Sequence, residues 1–377
     1  MSQTEIRQFN FGPITAHAFN KDRTQVAICP NNNEVQIHQR TAGGWSLIHT
    51  LVEASHDKLV TSIDWAVETN QIVTCSQDRN AYVWNLDQTS GKWKPTLVLL
   101  RFNRAATFVR WSPNETKFAV ASGSKCIAIC YFDEENDWWN SKHLKKPIRS
   151  TVLSLDWHSN SILLAAGCAD FKARVFSAYI KGVDQKPAPT PWGDKLPFNT
   201  VCGEFSNGGG GWIHSVAFSP SGDALAITGH DSQITIIYPG QEFYTVKTNN
   251  LPFLSLLWVN DNQLIAAGYD CVPVLFERQN DQSWKFSKVL DVSKKKNINE
   301  SSTAFNRFRD LDARGISSRS GSDETELNSI HQNTITSLRP YNGTPGDISH
   351  FSSSGLDGRL VIWNFQSLES QFKGLKV

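Results

Sequence analysis

The chain has 377 residues, 40% of them hydrophobic and 19% charged, with a formal net charge of +1. That balance leaves no basic excess for holding nucleic acid through its phosphates, and no apolar run reaches the ~18 residues that a membrane span needs. Seven cysteines, an odd number with no CxxC pair, argue against a disulfide framework or a zinc site and point to reduced thiols in the cytoplasm.

Residues 1–10 are polar and lack the apolar core of a signal peptide. After them a pattern recurs seven times, a short run ending in an aromatic or, last, a proline. The runs are 14–19, 60–65, 106–111, 152–157, 213–218, 253–258 and 335–340, and their ends lie 46, 46, 46, 61, 40 and 82 residues apart. A turn residue follows each run: Asn32, Asp78, Ser124, Asp170, Asp231, Asp270 and Asp357. Six positions later comes a third column, His38, Trp84, Cys130, Phe176, Ile237, Phe276 and Trp363. Three columns on one beat make an internal repeat. Within each unit apolar and polar residues alternate, as in 80–84 (NAYVW) and 359–363 (RLVIW), which predicts short antiparallel strands. Thirteen Trp and 21 Phe with a single Met suit stacked sheets, where rigid rings pack better than a flexible thioether.

A unit of ~40–45 residues with four strands is a propeller blade. The fold class is therefore all-β, a seven-bladed WD-repeat β-propeller forming one domain over residues 1–377. Residues 4–11 have nowhere else to pair and are expected to add the outer strand of blade 7, which removes the open edge. Two blades carry the complete polar set of a WD repeat, His56, Thr74, Asp78 and Trp84 in blade 2 and His331, Ser353, Asp357 and Trp363 in blade 7. Carboxylate, imidazole, hydroxyl and indole then form one chain, which is worth burying only if every member is satisfied. These histidines read as structural. The other five blades are expected to hold by packing alone, and Cys29, Cys75, Cys126 and Cys130 as core residues. No catalytic constellation, metal ligand set or cofactor motif emerges, so the expectation is a non-enzyme without cofactors. The glycine run 208–211 lacks the Lys-Ser/Thr of a phosphate loop and reads as a connector.

Two insertions interrupt the beat. The first, 181–211, is assigned between blades 4 and 5; its proline-rich stretch 187–193 either rests on the propeller or docks a partner. The second, 291–329 between blades 6 and 7, is polar but contains Phe305, Phe308 and Leu311 at every third residue. That stripe predicts a short helix with Ser302 as N-cap and Gly315 as stop. It either folds back on the rim or serves as a helix-in-groove ligand for another protein. Lys142, Lys145, Lys146 and Arg149 form the strongest basic cluster, a solvated face or a dock for an acidic peptide.

Several stretches go beyond generic repeat features: 20–33 (NKDRTQVAICPNNN), 78–84 (DRNAYVW), 135–139 (ENDWW), 145–157 (KKPIRSTVLSLDW), 176–181 (FSAYIK), 187–193 (PAPTPWG) and 367–370 (SLES). On these the chain resembles the WD-repeat subunit, subunit one, of the actin-related protein 2/3 complex, which nucleates branched actin filaments. The resemblance runs from about residue 14 to 376 and departs in blade 5 and in the second insertion outside its Phe305 to Leu311 core. It implies a non-catalytic scaffold holding the other subunits of that complex in the cytoplasmic, cortical actin cytoskeleton. It implies that the 291–329 arm projects towards the actin filament, making Phe305, Phe308, Arg309 and Leu311 candidate actin contacts. Lys142, Lys145, Lys146 and Arg149 become a candidate dock for the acidic tails of nucleation-promoting factors. The alternative is a generic WD-repeat adaptor presenting peptides in another multiprotein complex.

Overall fold

Strands buried on both faces should read as continuous apolar runs, and strands at an edge should alternate. A computed structural model of the chain, which describes residues 4–52, 56–206, 208–240, 243–291 and 327–368, follows that gradient. Among the described residues, 28 strands form seven four-stranded antiparallel sheets, the seven blades of a β-propeller. The second strand of blade 3, Lys117–Ser122, and that of blade 4, Leu163–Cys168, are buried at every position. The outer strands, such as Lys92–Val98 and Trp138–Leu144, bury few positions and leave most side chains partly or fully in solvent. The inner strands surround one channel, to which every blade contributes: Ala16, Ser62, Phe108, Leu155, Val216, Leu256 and Leu338 line it.

Closure uses the N-terminus. Glu5–Gln8 pairs antiparallel with Arg359–Asn364, Glu5 opposite Ile362 and Gln8 opposite Arg359, and so supplies the fourth strand of blade 7. Side chains reinforce the seam: Arg359 Nε donates to Gln8 Oε1 at 2.8 Å, and Arg40 Nη1 donates to the Tyr341 hydroxyl at 2.7 Å. His17, fully buried, bridges blade 1 to blade 7, with Nδ1 2.8 Å from Ser354 Oγ and Nε2 2.8 Å from Ser352 Oγ. Burial, helped by the charge of His331, lowers its pKa to about 3, so the imidazole is neutral and takes one proton and gives one.

Blades are also stapled to one another near the start of the inner strands. In blades 2 to 7 the register shifts there, and the bulge frees the residue at the shift from the ladder. Where that residue is threonine its hydroxyl reaches the next blade. Thr61 Oγ1 donates to Ala106 O at 3.0 Å, Thr107 Oγ1 to Val152 O at 2.6 Å and Thr336 Oγ1 to Ile14 O at 2.9 Å; in blade 1, Thr15 Oγ1 reaches Val60 O at 3.3 Å.

Two expectations are corrected. The first insertion does not separate blades 4 and 5. It occupies 178–200, between the third and fourth strands of blade 4, because Val201–Ser206 is that blade's outer strand. It rests on the propeller: Trp192 is buried, and its indole donates to Gly222 O at 2.8 Å. Nor do the remaining blades hold by packing alone. In blade 4 the buried Arg174 donates to Glu204 Oε2 at 2.8 Å and to Asp170 Oδ1 at 3.0 Å. In blade 3 the buried Lys117 pairs with Asp184 of the insertion and donates to Ala178 O at 2.9 Å, its Nζ 5.4 Å from the Trp157 ring centroid.

Candidate functional site

In blade 2 the His56 Nδ1–H donates to Asp78 Oδ2 at 2.7 Å. The Thr74 hydroxyl lies 2.9 Å from His56 Nε2 and accepts the Trp84 indole N–H at 3.0 Å. In blade 7 the same chain runs from Asp357 through His331 to Ser353 and Trp363, at 3.1, 2.7 and 2.8 Å. Burial pushes Asp78 and Asp357 up, but the hydrogen bonds and charge of their histidines outweigh it and hold both carboxyls below the usual range. Every ring nitrogen, hydroxyl and indole in the two sets has a partner, which leaves none free for chemistry. All seven thiols are unpaired; burial pushes Cys75 and Cys168 up to about 12 and Cys202 up to about 11. A thiol so raised is no nucleophile near neutrality. Among the described residues no group of three metal-ligating side chains converges, and no helix is long and apolar enough to cross a membrane.

The surfaces carry more information. On the face formed by the connections between blades, Lys145, Lys146 and Arg149 are exposed in the segment leading into the inner strand of blade 4. They have company that the sequence did not single out: Arg101 and Arg104 in the preceding connection, and Lys125 in the turn between them, all exposed. Hydrogen bonds from the Asn103 and Arg104 amides to Ser124 Oγ, at 3.1 and 2.9 Å, tie that connection to that turn. None of the six cations forms an ion pair among the described residues. Lys142 stands apart, on the outer strand Trp138–Leu144, its Nζ 5.8 Å from the Tyr131 ring centroid and 6.0 Å from that of Phe198. On the same connection-bearing face the two ends of the second insertion meet, the Ile330 amide donating to Asp291 Oδ2 at 2.6 Å. Phe305, Phe308, Arg309 and Leu311 themselves lie outside the described residues.

The opposite face, built by hairpin turns, holds a charged ring at the channel mouth. The residue preceding the aromatic column is Asp64, Arg110, Asp156 and Arg339 in blades 2, 3, 4 and 7. Arg339 spans blade 1 to donate to Asp64 Oδ1 at 3.0 Å and to Ile63 O at 2.9 Å. The Trp111 amide donates to Asp64 Oδ2 at 2.9 Å, and the Phe218 amide to Asp156 Oδ2 at 2.8 Å. Burial, opposed by Arg110, raises Asp64 and pushes Asp156 up to about 6. Sequence reading missed this ring, although charge recurring at the position before the last residue of the inner run (Trp65, Trp111, Trp157 and Pro340) was its signal.

A family model, "WD domain, G-beta repeat", matches residues 45–85, 141–177 and 200–237. Each match begins at or next to the outer strand of one blade and ends in the third strand of the next. The sequence repeat is thus offset by one strand from the blade, which is why blade 7 needs the N-terminus. The chain is 51% identical to actin-related protein 2/3 complex subunit 1A-B of Xenopus laevis over 99% of both chains. It is 51% identical to subunit 1 of Schizosaccharomyces pombe, over 96% of this chain and all of that one. Subunit 1 of Saccharomyces cerevisiae is 41% identical over 93% of this chain and 94% of its own. The chain belongs to the actin-related protein 2/3 complex subunit 1 family. As a member of that family it is a WD-repeat propeller and not an enzyme.

Proposed function

We propose that the chain is a non-catalytic scaffold subunit of an actin-related protein 2/3 complex and supports the nucleation of branched actin filaments in the cytoplasmic actin cytoskeleton. End-to-end likeness, at 51% identity over 99% of both chains, to a protein named as subunit 1 of that complex carries the reading. The outer strands agree with it: Leu47, Leu97, Trp138 and Phe286 are 40–58% exposed, apolar surface of the kind that neighbouring subunits cover. Affinity purification of the tagged chain, with identification of co-eluting proteins, tests it. Two actin-related proteins are expected among them, and a partner set with no actin relative overturns the reading in favour of a different WD-repeat adaptor.

Within this function the 291–329 arm contacts the actin filament through Phe305, Phe308, Arg309 and Leu311. Changing Phe305 and Phe308 to Ala leaves the melting temperature unchanged and lowers branch density at least severalfold; unchanged branching removes the arm from the mechanism. The acidic tails of nucleation-promoting factors dock on the cationic face at Lys145, Lys146 and Arg149, with Arg101, Arg104 and Lys125 extending it, and Lys142 at its margin.

A further inference from the structure

The connection-bearing face carries apolar side chains beside its cations. Phe171, Trp212, Leu251 and Tyr269 are 46%, 52%, 54% and 40% exposed, and each tops a different loop of blades 4 to 6. Phe171 and Tyr269 sit in the turns between the second and third strands of blades 4 and 6, while Trp212 and Leu251 lead into the inner strands of blades 5 and 6. Hydrogen bonds join these loops into one surface. The His230 amide donates to Trp212 O at 2.9 Å, the Tyr269 amide to Pro252 O at 3.2 Å and the Leu251 amide to Asp270 Oδ2 at 2.9 Å. The Arg149 amide donates to Asp170 Oδ2 at 3.0 Å, so the last cation of the patch adjoins the turn that carries Phe171. The fold does not ask for these side chains: none of the four joins a core cluster among the described residues. Phe171 has φ +69°, where Gly358 takes the equivalent place in blade 7 at +74°. Glycine fills that conformation without steric cost, and a bulky residue only under strain.

We propose that this face seats the chain on an anionic membrane surface, its cations meeting lipid headgroups and its four apolar tips entering the headgroup layer. The charge is complementary. Arg101, Arg104, Lys125, Lys145, Lys146 and Arg149 are exposed and form no ion pair among the described residues. The turn carboxylates beside the apolar tips are engaged, Asp170 by Arg174 and the Arg149 amide, Asp270 by Asn250 and the Leu251 amide. Clustered Lys and Arg draw anionic lipid, and aromatic side chains favour the level of the headgroups. Stable attachment takes two such signals together, and this face holds both. The tips rise from four separate loops spread over three blades, which matches a continuous soft layer; an anchoring side chain of a peptide instead needs its contacts gathered into one pocket. The membrane reading does not rest on the acidic-tail assignment: both use the cations, and the membrane alone uses the tips.

The test sediments the full chain with vesicles of phosphatidylcholine containing about a third phosphatidylserine, and with vesicles of phosphatidylcholine alone. The mixed vesicles are expected to retain about tenfold more protein, and salt at about 1 M, where charges are screened beyond about 3 Å, removes most of that difference. Phe171→Asn combined with Leu251→Ser lowers retention severalfold. It leaves the melting temperature unchanged or raises it, because asparagine accepts the left-handed turn, whereas a packing role for Phe171 would lower it. The same double variant binds soluble polyglutamate as the native chain does, while charge reversal at Arg104, Lys145 and Lys146 weakens retention on vesicles and binding of polyglutamate alike. Equal retention on the two vesicles, no retention on either, or indifference to the double variant overturns the proposal; intact polyglutamate binding then leaves the acidic-tail assignment standing. Loss of polyglutamate binding in the double variant also overturns it, since the tips then serve a peptide.

Discussion

From blade 7 through blades 1, 2 and 3 to blade 4, threonine hydroxyls bridge each seam, whereas across blades 4, 5, 6 and 7 the same position holds Leu153, His214 and Leu254. The first arc also contains both complete tetrads, the His17 bridge and the Lys117 and Arg174 pairs. The second centres on Ile234, Ile236, Phe253, Leu264 and Phe276 in one apolar cluster, and its seams are crossed from other positions, by Phe218 N–H to Asp156 Oδ2 at 2.8 Å, Trp258 Nε1–H to Ala217 O at 3.0 Å and Leu338 N–H to Ser255 Oγ at 3.0 Å. The difference follows from how the ring is made. Blades 5 and 6 are each built from one continuous segment, which fixes their register without a bond from the bulged position. Blade 7 joins two segments more than 300 residues apart, and a one-residue slip there turns every side chain to the wrong face. Directional bonds single out one register where covalent connection does not.

The sharpest way to break this contrast is to remove a charge from the bonded arc. Asp184→Ala strands the Lys117 ammonium, which burial already pushes below its ordinary pKa against the pull of Asp184. Loss of about 3–5 kcal/mol is expected in denaturant unfolding, and Lys117→Met in the same chain recovers most of it. In the apolar arc Ile234→Val is expected to cost only about 0.5–1.5 kcal/mol. Equal costs would erase the distinction.

Acid separates the arcs next. His17 has a pKa of about 3 in the folded chain, against about 6.5 when unfolded. The unfolded chain therefore binds more protons between those values, and stability falls as pH drops through that window. The His17 share of the loss is about 2 kcal/mol by pH ~5. His38 and His214, lowered to about 4 mainly by burial, add to the slope, so the measurement is the difference between the native profile and that of His17→Asn. Parallel profiles would show that His17 does not couple the seam to pH.

How much of this was legible varies with sequence distance. The tetrads were legible because all four members fall inside one repeat at fixed offsets. The closing strand was legible because residues 4–11 had no other partner. The insertion in blade 4 was misplaced because the aromatic column marks inner strands only; a gap of 61 residues does not say whether the excess lies before or after an outer strand as weakly patterned as Val201–Ser206. Lys117 and Asp184 are 67 residues apart in different blades, and no repeat offset links them. The cationic face was half legible: Lys145, Lys146 and Arg149 are adjacent in sequence, while Arg101, Arg104 and Lys125 join them only through the ring.

The threonine staples are the finest test, and their signal was present, since Thr15, Thr61 and Thr107 share the 46-residue beat. Thr107→Val keeps shape and β-branching while deleting the 2.6 Å bond to Val152 O, at an expected cost of about 1 kcal/mol. Thr61→Val deletes the neighbouring staple to Ala106 O. Thr61 donates to the carbonyl of Ala106, the residue bonded to Thr107, so the two sites are neighbours and the loss in the double variant is expected to depart from the simple sum of about 2 kcal/mol. Hydrogen exchange in the strand Lys117–Ser122, which lies between the two altered seams, then rises relative to Gln263–Gly268 in blade 6. If protection falls equally in both strands, the ring opens as one cooperative unit and the staples act globally. If it falls only in blade 3, the bonded arc is where the seams first part.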